Sequence, residues 1–121
     1  MQLDKNNILV DIDGTVSEDI SNENSNQFLG AYALDGAVKS VNTLYDQGNN
    51  ITFFTSREEK DRSVTIQWLN RHNFKYHGLI MGKPRGGNYV WIDNLSVTGI
   101  KYSYANNWSN ILQGFRKVIR K

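Results

Sequence analysis

The run Ile8-Leu9-Val10-Asp11-Ile12-Asp13, closed by Gly14, constrains this chain more than any other segment. It is short, β-prone and apolar up to Asp11. It therefore reads as a buried strand that delivers two carboxylates at its C-terminal end. Alternation along a strand points the side chains at i and i+2 to the same side. Two like charges held that close repel and need a cation to offset them. A hard divalent ion with oxygen ligands meets that need, and Mg²⁺ suits one or two carboxylates together with a substrate phosphate.

Helical and strand patterns alternate after this run. Asp35 is placed as an N-cap, Ala37, Val41, Leu44 and Tyr45 follow at helical spacing, and Gly48 supplies the stop. Ile51 to Thr55 reads as a second strand, and Val64, Trp68 and Leu69 stripe a helix over 58–72. Tyr76 to Ile80 reads as a third strand, Tyr89 to Asp93 as a fourth and Ile100 to Tyr104 as a fifth. Trp108, Ile111, Leu112, Phe115, Val118 and Ile119 give an amphipathic helix over 107–121. This order predicts an α/β fold: a three-layer, Rossmann-like arrangement with a mostly parallel sheet and helices on both faces. Ligands of such sheets bind outside the carboxyl ends of the strands. Asp11, Asp13, Thr55 and Asp93 are all expected there.

The 121 residues suffice for one domain, taken as 1–121. Residues 14–34 are polar and are expected to form a lid-like loop or small insert with one short helix. Net charge is +2, which gives no strong global pull toward nucleic acid or anionic membrane. It is unevenly spread: −5 over residues 1–34, +2 over 35–83 and +5 over 84–121. The absence of cysteine excludes a disulfide framework, a thiolate zinc site and a cysteine nucleophile. No apolar run is long enough for a membrane span and no signal peptide is visible, so a cytoplasmic address is expected.

Thr55-Ser56-Arg57 stands at a strand-to-helix turn, where hydroxyls and backbone N–H groups can hold an anion. Gly82-Lys83-Pro84-Arg85-Gly86-Gly87 puts two cations on a turn-rich loop, and Asp93-Asn94 adds a third carboxylate. Each of these has an ordinary structural explanation by itself; their order along one sheet edge carries the argument.

That order resembles the haloacid dehalogenase-like (HAD) superfamily of phosphotransferases, through Asp11-Ile12-Asp13-Gly14-Thr15, Thr55, Lys83 and Asp93. The wider pattern Phe54-Thr55-Ser56-Arg57 and Tyr76 to Pro84 is similar to small, nearly capless phosphatases of capsule or polysaccharide biosynthesis. The resemblance implies a Mg²⁺-dependent phosphomonoesterase acting on a small phosphorylated metabolite, a sugar phosphate or nucleotide. It implies Asp11 as the nucleophile that becomes an aspartyl-phosphate and Asp13 as general acid, then general base. Thr55 would bond a phosphoryl oxygen, and Lys83 would neutralise charge and hold Asp11. Mg²⁺ would be held by Asp11, the Asp13 backbone carbonyl and Asp93. Asn94 departs from the second acid common in the family and supplies one charge fewer. Ser56, Arg57 and Arg85 are further candidate substrate contacts, because arginine offers a bidentate fork. Arg62 is equally explained as a surface arginine, and His72 and His77 as structural.

Three alternatives remain at this level. The same chemistry could serve a nucleic-acid end such as a 3′-phosphate, given the basic C-terminal third and its aromatics. The fold could serve as a non-catalytic binding module. A signalling receiver domain fits less well, because its phosphoacceptor lies on a later strand. With little room for a cap, selectivity must come from residues 14–34, the Arg85 loop or a neighbouring subunit of a homo-oligomer.

Overall fold

The structure is a computed structural model that describes residues 5–119. Three parallel strands form its sheet: β1 (Asn7–Val10), β2 (Asn50–Phe54) and β3 (Gly78–Ile80), in the order β1-β2-β3. Ile8 pairs with Ile51, Val10 with Phe53, and Phe53 with Leu79. These positions share one face of the pleat. Ile51 and Phe53 are fully buried there, whereas Leu9 and Ile80 on the opposite face stay partly open.

Helix α1 (Ala37–Asp46) connects β1 to β2, and α2 (Arg62–Arg71) connects β2 to β3. Each crossover returns the chain to start a parallel neighbour. Ala37, Val41 and Leu44 of α1 and Trp68 and Leu69 of α2 join Val10, Ile51 and Phe53 in one buried cluster. Helix α3 (Trp108–Ile119) packs on α1 and adds Trp108 and Ile111 to the same cluster. The α/β class, the parallel sheet and the three helices therefore match the pattern of the sequence. Residues 120–121 of the expected C-terminal helix, and the side chains of Val118 and Ile119, lie outside the described residues.

Several expectations are corrected. Helix α1 is capped by Gly36 and not by Asp35. Gly36 has φ +79°, a left-handed conformation that favours glycine, so a glycine turn sets the helix entry. The helix expected over 58–72 begins as a 3₁₀ turn at Glu59–Asp61 before α2. The fourth and fifth strands do not form. Tyr89 to Asp93 has no ladder partner, and Ile92 is 92% exposed. Strand propensity is chiefly packing on a pleated surface, and this run has no neighbouring strand to pack on. Residues 100–104 run without a ladder into a turn closed between Ser103 and Asn106.

Residues 14–34 form a tied-down insert, which decides between the two expected forms. A 3₁₀ stretch occupies Asn22–Gln27, Phe28 is fully buried behind it, and the Trp68 indole donates to Ala31 O at 2.8 Å.

Candidate active site

The first two carboxylates are carried by a tight turn just past β1. Ile12 O accepts from the backbone N–H of Thr15, Val16 and Ser17 at 2.9–3.1 Å, and Gly14 turns left-handed at φ +79°. Ile12 is fully buried in the core and anchors the turn. Asp11 and Asp13 flank it and both line a cleft of about 210 Å³. Asp11 Oδ2 accepts from the Thr15 hydroxyl at 3.2 Å, an i,i+4 contact within the Asp-x-Asp-Gly-Thr run. Asp11 Oδ1 accepts from Lys83 Nζ at 3.2 Å, with the Asp11 side chain still 38% exposed.

Lys83 reaches Asp11 across 72 residues of chain. Its backbone N–H donates to Thr55 O at 2.9 Å, which fixes the loop after β3 to the end of β2. Its ammonium also lies 4.9 Å from the centroid of the Tyr89 ring and 5.6 Å from that of Phe54. Arg85 and Tyr89 stand at the rim of the same cleft.

The turn after β2 behaves differently from expectation. Thr55 is fully buried, and its hydroxyl accepts from Arg57 N at 3.2 Å, so it is Ser56 that lines the cleft. Arg57 is corrected as a substrate contact. Its side chain is fully buried, with Nε and Nη2 donating to Asp13 at 2.9 and 2.8 Å and Nη1 to the Thr65 hydroxyl at 3.0 Å. Sequence reading also missed Asp19, Ile20, Ser21, Asn22 and Tyr89, which line the cleft. Asn22 is held there because its amide donates to Ser56 O at 3.0 Å. For Asp19, Ile20, Ser21 and Asn22 the available signal was the polarity of 14–34; Tyr89 carried none. Glu23, beside the rim, has its carboxyl held below the usual range, first by the Ser21 hydroxyl and further by Arg85.

Asp93 is not brought to this site. It lies in the exposed run, where its carboxylate accepts from the Trp91 indole at 3.0 Å and from Leu95 N at 3.0 Å. Those bonds, the indole first, hold its carboxyl below the usual carboxylate range. The expected donor set of Asp11, Asp13 and Asp93 is thus unassembled. Among the described residues no three His, Cys, Asp or Glu side chains cluster to hold a metal ion. The residues present do not fit the Mg²⁺ site that the resemblance implies.

The remaining candidates have structural roles. Arg62 pairs with Glu59 at 2.7 Å and also donates to Leu79 O. His77 Nδ1 accepts from Ile51 N, while its ring stacks on Tyr45; His72 lies against Trp68. No helix among the described residues is long and apolar enough to cross a membrane.

A parallel sheet whose first strand ends in an Asp-x-Asp-Gly-Thr turn, with a distant lysine on the first carboxylate, defines a HAD-like fold. Within that class the chain belongs to the family described as PITM 1-3, LNS2 domain, whose profile matches residues 8–90. This is not the capsule or polysaccharide biosynthesis type that the sequence resembles. No curated protein sequence matches the chain. Solved structures share the fold. An MCSG target from Vibrio cholerae is 20% identical with a TM-score of 0.56, over 77% of this chain and 82% of that one. A chain of a Pnkp1/Rnl/Hen1 complex is 22% identical with a TM-score of 0.59, over 74% of this chain. A chain of the Pnkp1/Rnl/Hen1 RNA repair complex is 19% identical with a TM-score of 0.58, over 95% of this chain. In these two comparisons the chain covers 31% and 32% of the longer protein.

Proposed function

We propose that this protein is a phosphomonoesterase that uses Asp11 as its nucleophile on a small phosphorylated metabolite. The observation that carries the reading is the Asp11 carboxylate itself. It is open to the cleft, yet oriented from both sides by Thr15 and Lys83. Attack by Asp11 on phosphorus forms an aspartyl-phosphate as the bond to the ester oxygen breaks. Asp13 protonates that oxygen, then takes a proton from the water that releases inorganic phosphate. Lys83 offsets phosphoryl charge beside the nucleophile. Ser56 and Arg85 are the polar contacts for the rest of the substrate.

No step here runs through a metal ion. The Mg²⁺ requirement implied by the resemblance is tested by chelation: turnover that survives EDTA removes Mg²⁺ from the reading and leaves Asp11 in place.

The test is phosphate release over a panel of sugar phosphates, nucleotides and 3′-phosphorylated oligonucleotides. Asp11→Asn is expected to lower turnover at least ~10³-fold, the scale of losing a covalent nucleophile. Unchanged turnover in that variant overturns the proposal. A nucleic-acid end is the second reading. It is supported by the open rim, where the exposed Tyr89 ring stands beside Arg85 as a stacking surface for a base, and by likeness to a chain of the Pnkp1/Rnl/Hen1 RNA repair complex. Preference for the oligonucleotide, weakening with salt, would select it.

A further inference from the structure

Arg57 is the least expected side chain near the cleft. A fully buried arginine must have every donor matched and its charge paired. Here the fork of Nε and Nη2 covers both oxygens of Asp13, and Nη1 is spent on Thr65. The Thr65 hydroxyl in turn donates a hydrogen bond to Asp61 O at 2.8 Å, so its position on α2 is fixed as well. The guanidinium lies 3.7 Å over the centroid of the Phe28 ring, which the insert supplies. Arg57 therefore joins three segments: the turn after β1, the helix after β2 and the insert. Its side chain is fully buried and does not line the cleft.

We propose that Arg57 is a positioning residue, which holds the Asp13 carboxylate in one orientation toward the ester oxygen of the bound substrate. The proposal rests on the phosphatase reading given above. A carboxylate gripped by two parallel N–H bonds cannot rotate about its Cβ–Cγ bond without breaking both. Its side chain is 13% exposed, and that exposed part lies in the cleft wall. The step this serves is cleavage of the P–O bond. The electron pair of that bond goes to the ester oxygen, and the proton comes from Asp13, which takes it from the hydrolytic water of the preceding turnover on a lone pair left free beside the two Arg57 bonds. Misplacing Asp13 harms this step in proportion to how much the leaving oxygen needs the proton. An alkoxide needs it, and a nitrophenolate hardly does.

The experiment compares two esters, an alkyl phosphate and p-nitrophenyl phosphate, in the wild-type chain and in Arg57→Lys. Lysine keeps the charge but loses the fork. The kcat/KM on the alkyl ester, which reads the steps up to departure of the alcohol and not the later hydrolysis of the aspartyl-phosphate, is expected to fall at least ~30-fold, within the range of a general acid's contribution. The kcat/KM on the nitrophenyl ester is expected to fall only about 3-fold, because its leaving group makes little use of a general acid. Thr65→Val keeps the shape and removes the partner of Nη1, so it is expected to show the same bias more weakly. It decides the matter if Arg57→Lys fails to fold. Equal losses on both esters reduce Arg57 to a structural residue and overturn the proposal. A KM raised alike for both esters, with kcat retained, would make it a substrate contact and overturn it equally. Absence of turnover in the wild type on either ester removes the phosphatase reading and this proposal with it. An active wild type with unbiased variants removes this proposal alone.

Discussion

Two tryptophans show how differently the chain's two regions are built. Trp68, on α2, is fully buried, stacks on Phe74 at 5.5 Å and donates its indole N–H to Ala31 O. Trp91, in the run between the Arg85 loop and α3, is 55% exposed and donates to Asp93, two residues away. The first ties together segments 37 residues apart; the second only closes a local turn. The region from β1 to β3 is cross-linked by long-range bonds, whereas residues 84–101 are held mostly by local ones, apart from the Arg85–Glu23 ion pair at 3.9 Å. The proposed nucleophile, Asp11, sits in the first region and the expected third metal ligand, Asp93, in the second. The cleft therefore has a fixed acidic floor and a rim supplied by a differently held segment.

The largest effects should come from the cross-linked region. Trp68→Ala is expected to destabilise the fold by about 3–5 kcal/mol, the usual cost of truncating a buried tryptophan. Trp91→Ala should stay within about 0.5 kcal/mol, as exposed substitutions do. Urea midpoints of the two variants measure the contrast. Comparable losses in both would mean that the run 89–92 is packed in solution, and would break the comparison.

Asp93→Asn sharpens it on the functional side. As placed, Asp93 accepts from Trp91 and Leu95 in an exposed run away from the cleft, so its loss should change turnover by less than about 2-fold, the behaviour of a group that acts in neither the ground state nor the transition state. A loss as deep as that of Asp11→Asn would bring the Asp93 carboxylate to the cleft and join the two regions. Initial rates on the preferred ester, with and without added Mg²⁺, read the outcome.

Much of the first region was legible in the sequence for a physical reason. Strands and helices that bury a face must carry the matching period, so Ile8 to Val10, Ile51 to Phe53 and the stripe of α1 could be read directly. The meeting of Lys83 with Asp11 was implied by the superfamily resemblance, and the Thr15 hydroxyl joins them there. Arg57 could not be read this way. Its role depends on Asp13, Thr65 and Phe28, which meet it through tertiary packing, and its sequence neighbours Thr55 and Ser56 pointed to an anion site. Tyr89 to Asp93 failed for the opposite reason. Its residues carry the period and propensity of a strand, but pairing needs a neighbour that propensity does not specify.

The smallest expected effect belongs to Tyr76, whose ring packs edge-on to Phe53 at 5.5 Å on the covered side of the sheet. Burial pushes its phenol above the ordinary value of about 10. The folded state thus prefers the neutral phenol more strongly than the unfolded chain does. The associated stability is fully present below pH about 10 and is lost as pH rises from there through the raised folded value. Tyr76→Phe keeps the ring contact and removes the ionisation. Its urea midpoint should therefore fall less than that of the wild type between pH 9 and about 11, with the two curves parallel at lower pH. Equal alkaline slopes would mean that Tyr76 meets water as freely as the residues of the exposed run, and would move the boundary between the two regions inward to β3.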